Sequence, residues 1–229
     1  MAMGISAHGG NIALTGHDDD FHFPFGSASA GVQLGALTSF VRKGSADPTQ
    51  PVLTFDMNGS GSGLELDHDL TTLGIPFTNV HPSTGPVSSS VFDPTKYSAF
   101  ILASDIACGG CDLTPAAEHN IYDPAGNKTA IDNFFNAGGG ILGLSGAYAD
   151  APFYYSFLPD TAAPFGTLST VPRSPYYATA DGVANGIPTI MGIRLTTSSM
   201  SLEPVVRVVS IWLPSASQEE QEERLARAA

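Results

Sequence analysis

The chain has 229 residues, 42% of them hydrophobic, which is enough for one globular domain with a full core. Nine Lys and Arg residues stand against 22 Asp and Glu residues, and the resulting net charge of −13 disfavours binding to nucleic acid or to an anionic membrane surface. No apolar run approaches the roughly 20 residues of a membrane span, so we expect no membrane-spanning segment.

Five short apolar runs predict buried strands, and segments with helical spacing of apolar residues lie between most of them. The predicted strands are residues 11–15, 51–57, 75–80, 97–104 and 141–144. The predicted helices are residues 31–41, residues 64–73, a segment that begins at residue 114, and residues 127–137. Gly74 after the second helix and Pro115 in the first turn of the third support these boundaries. The order predicts a flavodoxin-like, doubly wound α/β fold, with a mainly parallel sheet and helices on both faces.

The regular pattern ends near residue 150. Residues 151–214 are rich in aromatic residues and Pro, and we expect an irregular covering segment with a late strand at 205–213. Residues 215–229 have acids first and arginines last, with Leu225 as their sizeable apolar residue, which predicts a polar helical or frayed tail. The chain is therefore expected to form a single domain over residues 1–214, with its core in residues 11–150.

Cys108 and Cys111 are separated by two glycines, and Asp112 follows them, which favours a loop. One such pair does not predict a zinc site, and a disulfide, two free thiols and a redox or metal role stay open. The few lysines and many Ser, Thr and Gly residues favour an exported bacterial protein. The first ten residues lack the charged and apolar parts of a secretory signal.

Polar side chains follow the predicted strands, at the edge where parallel sheets bind ligands. Carboxylates that lie close together repel each other unless a cation or protons neutralise them, and oxygen ligands favour Ca²⁺ or Mg²⁺ over Zn²⁺. We predict a divalent cation, with Ca²⁺ as the best candidate, bound by Asp18 and Asp20 and completed by Asp56 or Asp105. The alternative is that residues 18–20 cap the next helix and face water.

A bound cation would polarise a carbonyl or activate a water, and a histidine could move the proton near neutral pH. The candidate catalytic residues are His17, His22, Asp105 and Ser145. Ser145 lies in a Gly-Leu-Ser-Gly segment that partly matches a nucleophile elbow, but no His follows it as a base, so a small residue in a tight turn is the alternative. The expected substrate is a small ester, lactone or amide that packs against Phe153, Tyr154 and Tyr155.

Three segments resemble the ThuA-like (trehalose-utilisation) group of the class I glutamine-amidotransferase-like fold. They are residues 12–17, residues 97–102 with the helix that follows, and residues 134–147, where a glycine-rich turn precedes a short strand. Members often carry Gly-x-His-Gly-Ala in the third segment, and this chain has Ser145 in place of that His. The resemblance covers about residues 11–150 and implies the fold. It does not imply glutamine hydrolysis, because no Cys stands at the nucleophile position.

The acidic chain is also similar to calcium-dependent lactonases that open acyl-homoserine lactones, an activity that implies quorum quenching. The resulting prediction is a metal-assisted hydrolase of a small ester or lactone. The alternative is a non-catalytic extracellular domain that binds a carbohydrate or another ligand, because the aromatic, Asp and Asn residues suit sugar stacking and hydrogen bonding.

Overall fold

The computed structural model describes residues 9–15, 18–23, 28–57, 65–104, 113–144, 151–158 and 180–188. In these parts of the chain, five strands form one sheet in which every neighbouring pair is parallel. The strands are β1 (Ile12–Thr15), β2 (Val52–Phe55), β3 (Phe77–Val80), β4 (Ala99–Leu102) and β5 (Gly140–Leu144). Each strand lies within a segment predicted from the apolar runs or extends it by one residue.

The helices that precede and follow these strands confirm the α/β prediction. They are α1 (Asp19–His22), α2 (Ala28–Arg42), α3 (Glu65–Thr72), α4 (Pro115–Tyr122), α5 (Asn127–Asn136), α6 (Ala151–Tyr154) and α7 (Ala180–Ala184), with 3-10 helices at Pro82–Thr84, Ser89–Val91 and Tyr155–Phe157. Thr114 caps α4, because its Oγ1 accepts a hydrogen bond of 3.2 Å from the Ala117 amide. Gly74 follows α3 with φ of 67°, the left-handed conformation that favours glycine at a helix end.

The strand order across the sheet is β1-β5-β4-β2-β3. The flavodoxin order is 2-1-3-4-5, and β2 to β5 follow it when they are counted as strands one to four. β1 then occupies the edge position of the fifth strand. α1 packs against α2 and α3, and α4 packs against α5 and α6. The fold is therefore flavodoxin-like, and the N-terminal strand β1 occupies the edge position that the fifth strand has in flavodoxin.

The strand order reverses beside β2, which fixes where a ligand would bind. After β2 the chain moves outward to β3, and it then returns to β4 on the other side of β2. Connections that leave β2 and β4 in opposite directions open a crevice beyond their carboxyl ends. Asp56 follows β2, and Ala103 and Ser104 follow β4, so these residues lie at the crevice.

Apolar side chains on both faces of the sheet form one core. Every residue of β1, β2, β4 and β5 is buried, whereas the edge strand β3 is partly exposed. Tyr154 and Phe157 belong to this core, since their side chains are completely buried. Gln33 donates a hydrogen bond of 3.1 Å to the carbonyl of Pro188, so the segment that contains α7 contacts α2. The predicted strand at 205–213 and the tail at 215–229 lie outside the described residues.

In the described parts of the chain, no helix is both long enough and apolar enough to cross a bilayer.

The start of β5 lies against the end of α2 so closely that only glycine fits. A Cβ on Gly140 would lie 2.1 Å from the carbonyl oxygen of Val41, a main-chain atom that cannot move without shifting α2. We expect Gly140→Ala to lower the free energy of unfolding by about 2 kcal/mol or more and Tm by about 4–8 °C. Thermal unfolding followed by circular dichroism measures this.

Gly35 in α2 is the matched control. A Cβ there meets only Leu73, at 3.8 Å, which is an ordinary contact. Since alanine is the better helix former, Gly35→Ala should raise the free energy of unfolding by about 0.5–1 kcal/mol. Equal melting temperatures for the two variants would contradict this account of the packing between α2 and β5.

Candidate functional site

The acidic segment after β1 lies in the interior. Asp18, Asp19 and Asp20 are 6%, 0% and 1% exposed. Asp18 occupies the N-cap position of α1, but its side chain makes no capping hydrogen bond. The alternative that residues 18–20 cap a helix and face water is therefore wrong, because these carboxylates are buried.

Asp20 is held by the residue that follows β4. Its Oδ2 accepts hydrogen bonds from the backbone amide of Ser104 at 2.8 Å and from the Ser104 hydroxyl at 3.1 Å. Its Oδ1 is buried and has no hydrogen-bond partner among the described residues. Burial raises the pKa of Asp20 above its usual range, and the nearby charges of Asp18 and Asp19 raise it further. One oxygen of Asp20 is thus fixed, and the other remains available to a ligand.

Asp56 is the second sequence-predicted ligand in this region. It follows β2 directly, is 2% exposed, and accepts a hydrogen bond of 2.7 Å at Oδ1 from the Met57 amide. Its Oδ2 is buried without a hydrogen-bond partner in the described part of the chain. Burial raises the pKa of Asp56 to about 8, and the charge of Asp20 is the next cause. The structure therefore brings the predicted residues Asp20 and Asp56 into one electrostatic environment.

Asp69 joins them, although the sequence analysis did not select it. It lies on α3 with its side chain fully buried, and neither carboxylate oxygen has a hydrogen-bond partner in the described regions. Burial raises the pKa of Asp69 to about 9, and the charge of Asp20 contributes next. The signal for Asp69 was its position three residues after Leu66 and directly before Leu70, on the apolar face of the helix. We call Asp20, Asp56 and Asp69 the carboxylate cluster.

The described basic side chains that contact this acidic region are two histidines. His22 Nε2 lies 3.2 Å from Asp18 Oδ1, and His68 Nδ1 lies 3.6 Å from Asp69 Oδ1. The His68 side chain is 68% exposed, as expected for a histidine on an outer helix face. Among the described residues, no Lys or Arg forms an ion pair with the carboxylate cluster. Within the described structure, the neutralisation of its charge is therefore left to protons or to a cation from solvent.

The donors fit a hard divalent cation in their chemistry, because they are buried carboxylate oxygens. Across the described ranges, no group of three or more His, Cys, Asp or Glu side chains is arranged to hold a metal ion. Asp20 and Asp56 could supply two ligands, and main-chain carbonyls and water commonly complete such sites. His17, Asp105, Ser145, Cys108 and Cys111 lie outside the described residues, and their roles stay predictions.

Tyr154 and Phe153, two of the aromatic residues expected to contact substrate, lie in different surroundings. Tyr154 is fully buried, and its hydroxyl donates hydrogen bonds to the carbonyls of Ala103 at 3.0 Å and Leu102 at 3.3 Å. Its expected role as a substrate contact is therefore wrong, since it packs in the core and supports the end of β4. Phe153 stacks on His119 with ring centroids 4.1 Å apart, and His119 pairs with Asp123.

Comparison with known proteins yields no family for this chain. No protein-family model matches the sequence, and no curated protein matches it significantly. Among solved structures, the chain is similar to IMPa from Pseudomonas aeruginosa in complex with an O-glycopeptide, with 12% identity over 60% of this chain and a TM-score of 0.35. The match spans 13% of the IMPa chain. A likeness this weak carries no argument about function.

The raised pKa values predict how stability depends on pH. In the unfolded chain an Asp ionises near pH 4, but in the folded chain Asp56 and Asp69 hold their protons up to about pH 8 and 9. The folded state therefore binds more protons between these limits, and stability falls as pH rises. Without divalent cations, Tm should decrease steadily from pH 5 to pH 9.

Thermal unfolding in a chelating buffer measures this dependence. Asp56→Asn should reduce the slope, because it removes one of the groups that titrate. Asp123→Asn is the control, since Asp123 is exposed and pairs only with His119 in the described structure, and it should keep the wild-type slope. A constant or rising Tm over this range would show that the cluster does not retain its protons.

Proposed function

We propose that this protein is a hydrolase of a small ester or lactone, assisted by a divalent cation, with Ca²⁺ as the best candidate. The observation that carries the proposal is the carboxylate cluster at the carboxyl edge of the sheet. Asp20, Asp56 and Asp69 are buried there, and no described Lys or Arg neutralises them. Such a concentration of negative charge at a ligand-binding crevice suits a hard cation and the hydrolytic chemistry that it supports.

Asp20 and Asp56 are the residues that would hold the cation in this proposal. Asp18 was predicted as a ligand with Asp20, and that role stays a prediction, since its Oδ1 lies 3.2 Å from His22 Nε2. Ser104 fixes Oδ2 of Asp20, and the Met57 amide fixes Oδ1 of Asp56. Each carboxylate thus has one oriented oxygen and one buried oxygen with no partner in the described structure. When bound, a divalent cation supplies polarisation of a carbonyl and a lower pKa of water.

His22 is the proton-transfer residue of this proposal. It lies on α1 two residues after Asp20, and Asp18 orients its ring through the contact of 3.2 Å at Nε2. A histidine whose ring is held by a carboxylate is suited to accept a proton from water near neutral pH. His17 and Asp105 belong to the same proposal from the sequence alone.

The lactone class comes from the sequence resemblance to acyl-homoserine lactone hydrolases. The carbohydrate-binding alternative depends on exposed aromatic residues of the covering segment, part of which lies outside the described residues. The burial of Tyr154 removes it as a contact for a lactone and for a sugar alike. The buried carboxylates support hydrolysis over sugar binding, because they suit a hard cation and offer no stacking surface.

The test is turnover by the purified chain with acyl-homoserine lactones and small aryl esters, in Ca²⁺ and in excess chelator. Removing the cation should abolish turnover, and adding Ca²⁺ back should restore it. Asp20→Asn and Asp56→Asn should each lower kcat/KM by about 100-fold or more, because each removes a charged ligand of the cation.

Asp123→Asn serves as the matched control, because it makes the same chemical change at an exposed position, and it should keep kcat/KM within about twofold of wild type. Circular dichroism checks that each variant is folded. Turnover that is indifferent to chelator and to both cluster substitutions would refute the metal-assisted hydrolase. Glycan binding without any turnover would support the alternative.

A further inference from the structure

Asp69 is the member of the carboxylate cluster to which the proposed hydrolase gives no role. Its side chain is fully buried, with no hydrogen bond to either oxygen among the described residues. His68 approaches it at 3.6 Å, but that ring lies mostly in solvent. A neutral residue would fit the interior of a helix face at lower cost, so this carboxylate requires an explanation.

The packing of α3 keeps the Asp69 side chain out of contact with bulk solvent. Leu66 and Leu70 lie on the same helix face and are both fully buried. On the adjacent face, Asp67 accepts a hydrogen bond of 3.1 Å from the hydroxyl of Thr54 in β2 and another from the amide of Asn79 in β3. These contacts hold α3 in one rotation over the sheet, so Asp69 is directed inward by the fold itself.

The contact between α1 and α3 places Asp69 beside the other two carboxylates. α1 packs directly against α3 and carries Asp20, which Ser104 ties to the end of β4. Asp56 reaches the same region from the end of β2. The charges of Asp20, Glu65, Asp19 and Asp56 all act on Asp69, with Asp20 contributing most among them. These carboxylates thus share one acidic region of the interior, in which no described Lys or Arg forms an ion pair with the carboxylate cluster.

We propose that one hard divalent cation, Ca²⁺ or Mg²⁺, occupies this region, and that Asp69 belongs to its site together with Asp20 and Asp56. This inference rests on the proposed function, which supplies the cation. It adds Asp69 to the cation site and gives the cation a role in holding the fold together. Because no three described carboxylates converge on one point, Asp69 acts on the cation through its charge or through a bound water. The cation then joins α1, β2 and α3.

This assignment predicts that one substitution has opposite effects with and without the cation. In the cation-free protein, Asp69 must either take up a proton or bury an unpaired charge on folding, and both cost stability, so Asp69→Asn should raise Tm in chelator. In Ca²⁺, the wild type gains stability by mass action because only the folded state binds the ion. Asp69→Asn should lose much of that gain. An Asp69 that served packing alone would instead lower Tm equally in both conditions when replaced.

The experiment is Ca²⁺ and Mg²⁺ titration of the full chain by calorimetry, with thermal unfolding in chelator and in excess cation, all without substrate. Wild-type protein should bind one Ca²⁺, and Asp69→Asn should bind it about tenfold more weakly or worse. His68→Gln is the control, because it removes the histidine contact but keeps the carboxylate. It should bind Ca²⁺ within about twofold of wild type.

Two results would overturn the assignment: no Ca²⁺ or Mg²⁺ binding by the wild type, or equal Ca²⁺ affinity and stabilisation in wild type and Asp69→Asn. If Asp69→Asn does not fold, Asp69→Ser provides the same comparison, and the wild-type titration alone still decides whether a cation binds. The proposed function fails separately. If Ca²⁺ binding depends on Asp69 but no lactone or ester is turned over, the cation site stands and the hydrolase is refuted. If the protein turns over these substrates and Asp69→Asn binds Ca²⁺ as tightly as wild type, the hydrolase stands and the role of Asp69 is refuted.

Discussion

The two hydrogen bonds from Ser104 to Asp20 are the contacts on which the candidate site depends. They join residues that are 84 positions apart, and they reach across β5, which separates β1 from β4 in the sheet. α1 is therefore held over the strand ends, where it packs against α2 and α3. The same bonds draw a charged side chain into the interior. Asp20 thus has two effects. Its hydrogen bonds with Ser104 hold this edge of the sheet together, and its buried carboxylate adds an electrostatic cost.

Few basic side chains are available to offset that cost, since nine Lys and Arg residues stand against 22 acids. Arg42, which is partly buried, donates hydrogen bonds to Ser98 and to the carbonyl of Gln50. Ser98 and Gln50 precede β4 and β2, so this guanidinium serves the amino edge of the sheet, opposite the carboxylate cluster. Within the described structure, neutralisation at the carboxyl edge is left to solvent, as protons or as a bound cation, and the two compete for the same oxygens.

Local signals were sufficient to predict the strands, the helices and two members of the cluster. Buried runs, the Thr114 cap and the glycine after α3 act within a few residues, and Asp20 and Asp56 were found because they follow predicted strands. The position of β1 beside β5 was not predictable in this way, since it pairs residues 12–15 with residues 141–144. The outward-facing alternative for residues 18–20 failed for the same reason, because a distant serine turns α1 inward. Asp69 was missed although the spacing of Leu66 and Leu70 already placed it on a buried helix face.

The hydrogen bonds of the cluster do not by themselves require acids. The carbonyl oxygen of an asparagine at position 20 could accept both bonds from Ser104, and one at position 56 could accept the bond from Met57, without burying a charge. The side chain of Asp69 makes no hydrogen bond in the described structure, so an apolar side chain would stabilise that position more. Compared with amides, three carboxylates add negative charge for a cation and sites that can exchange a proton. The packing of α1 against α3 keeps these carboxylates close to the point where the strand order reverses.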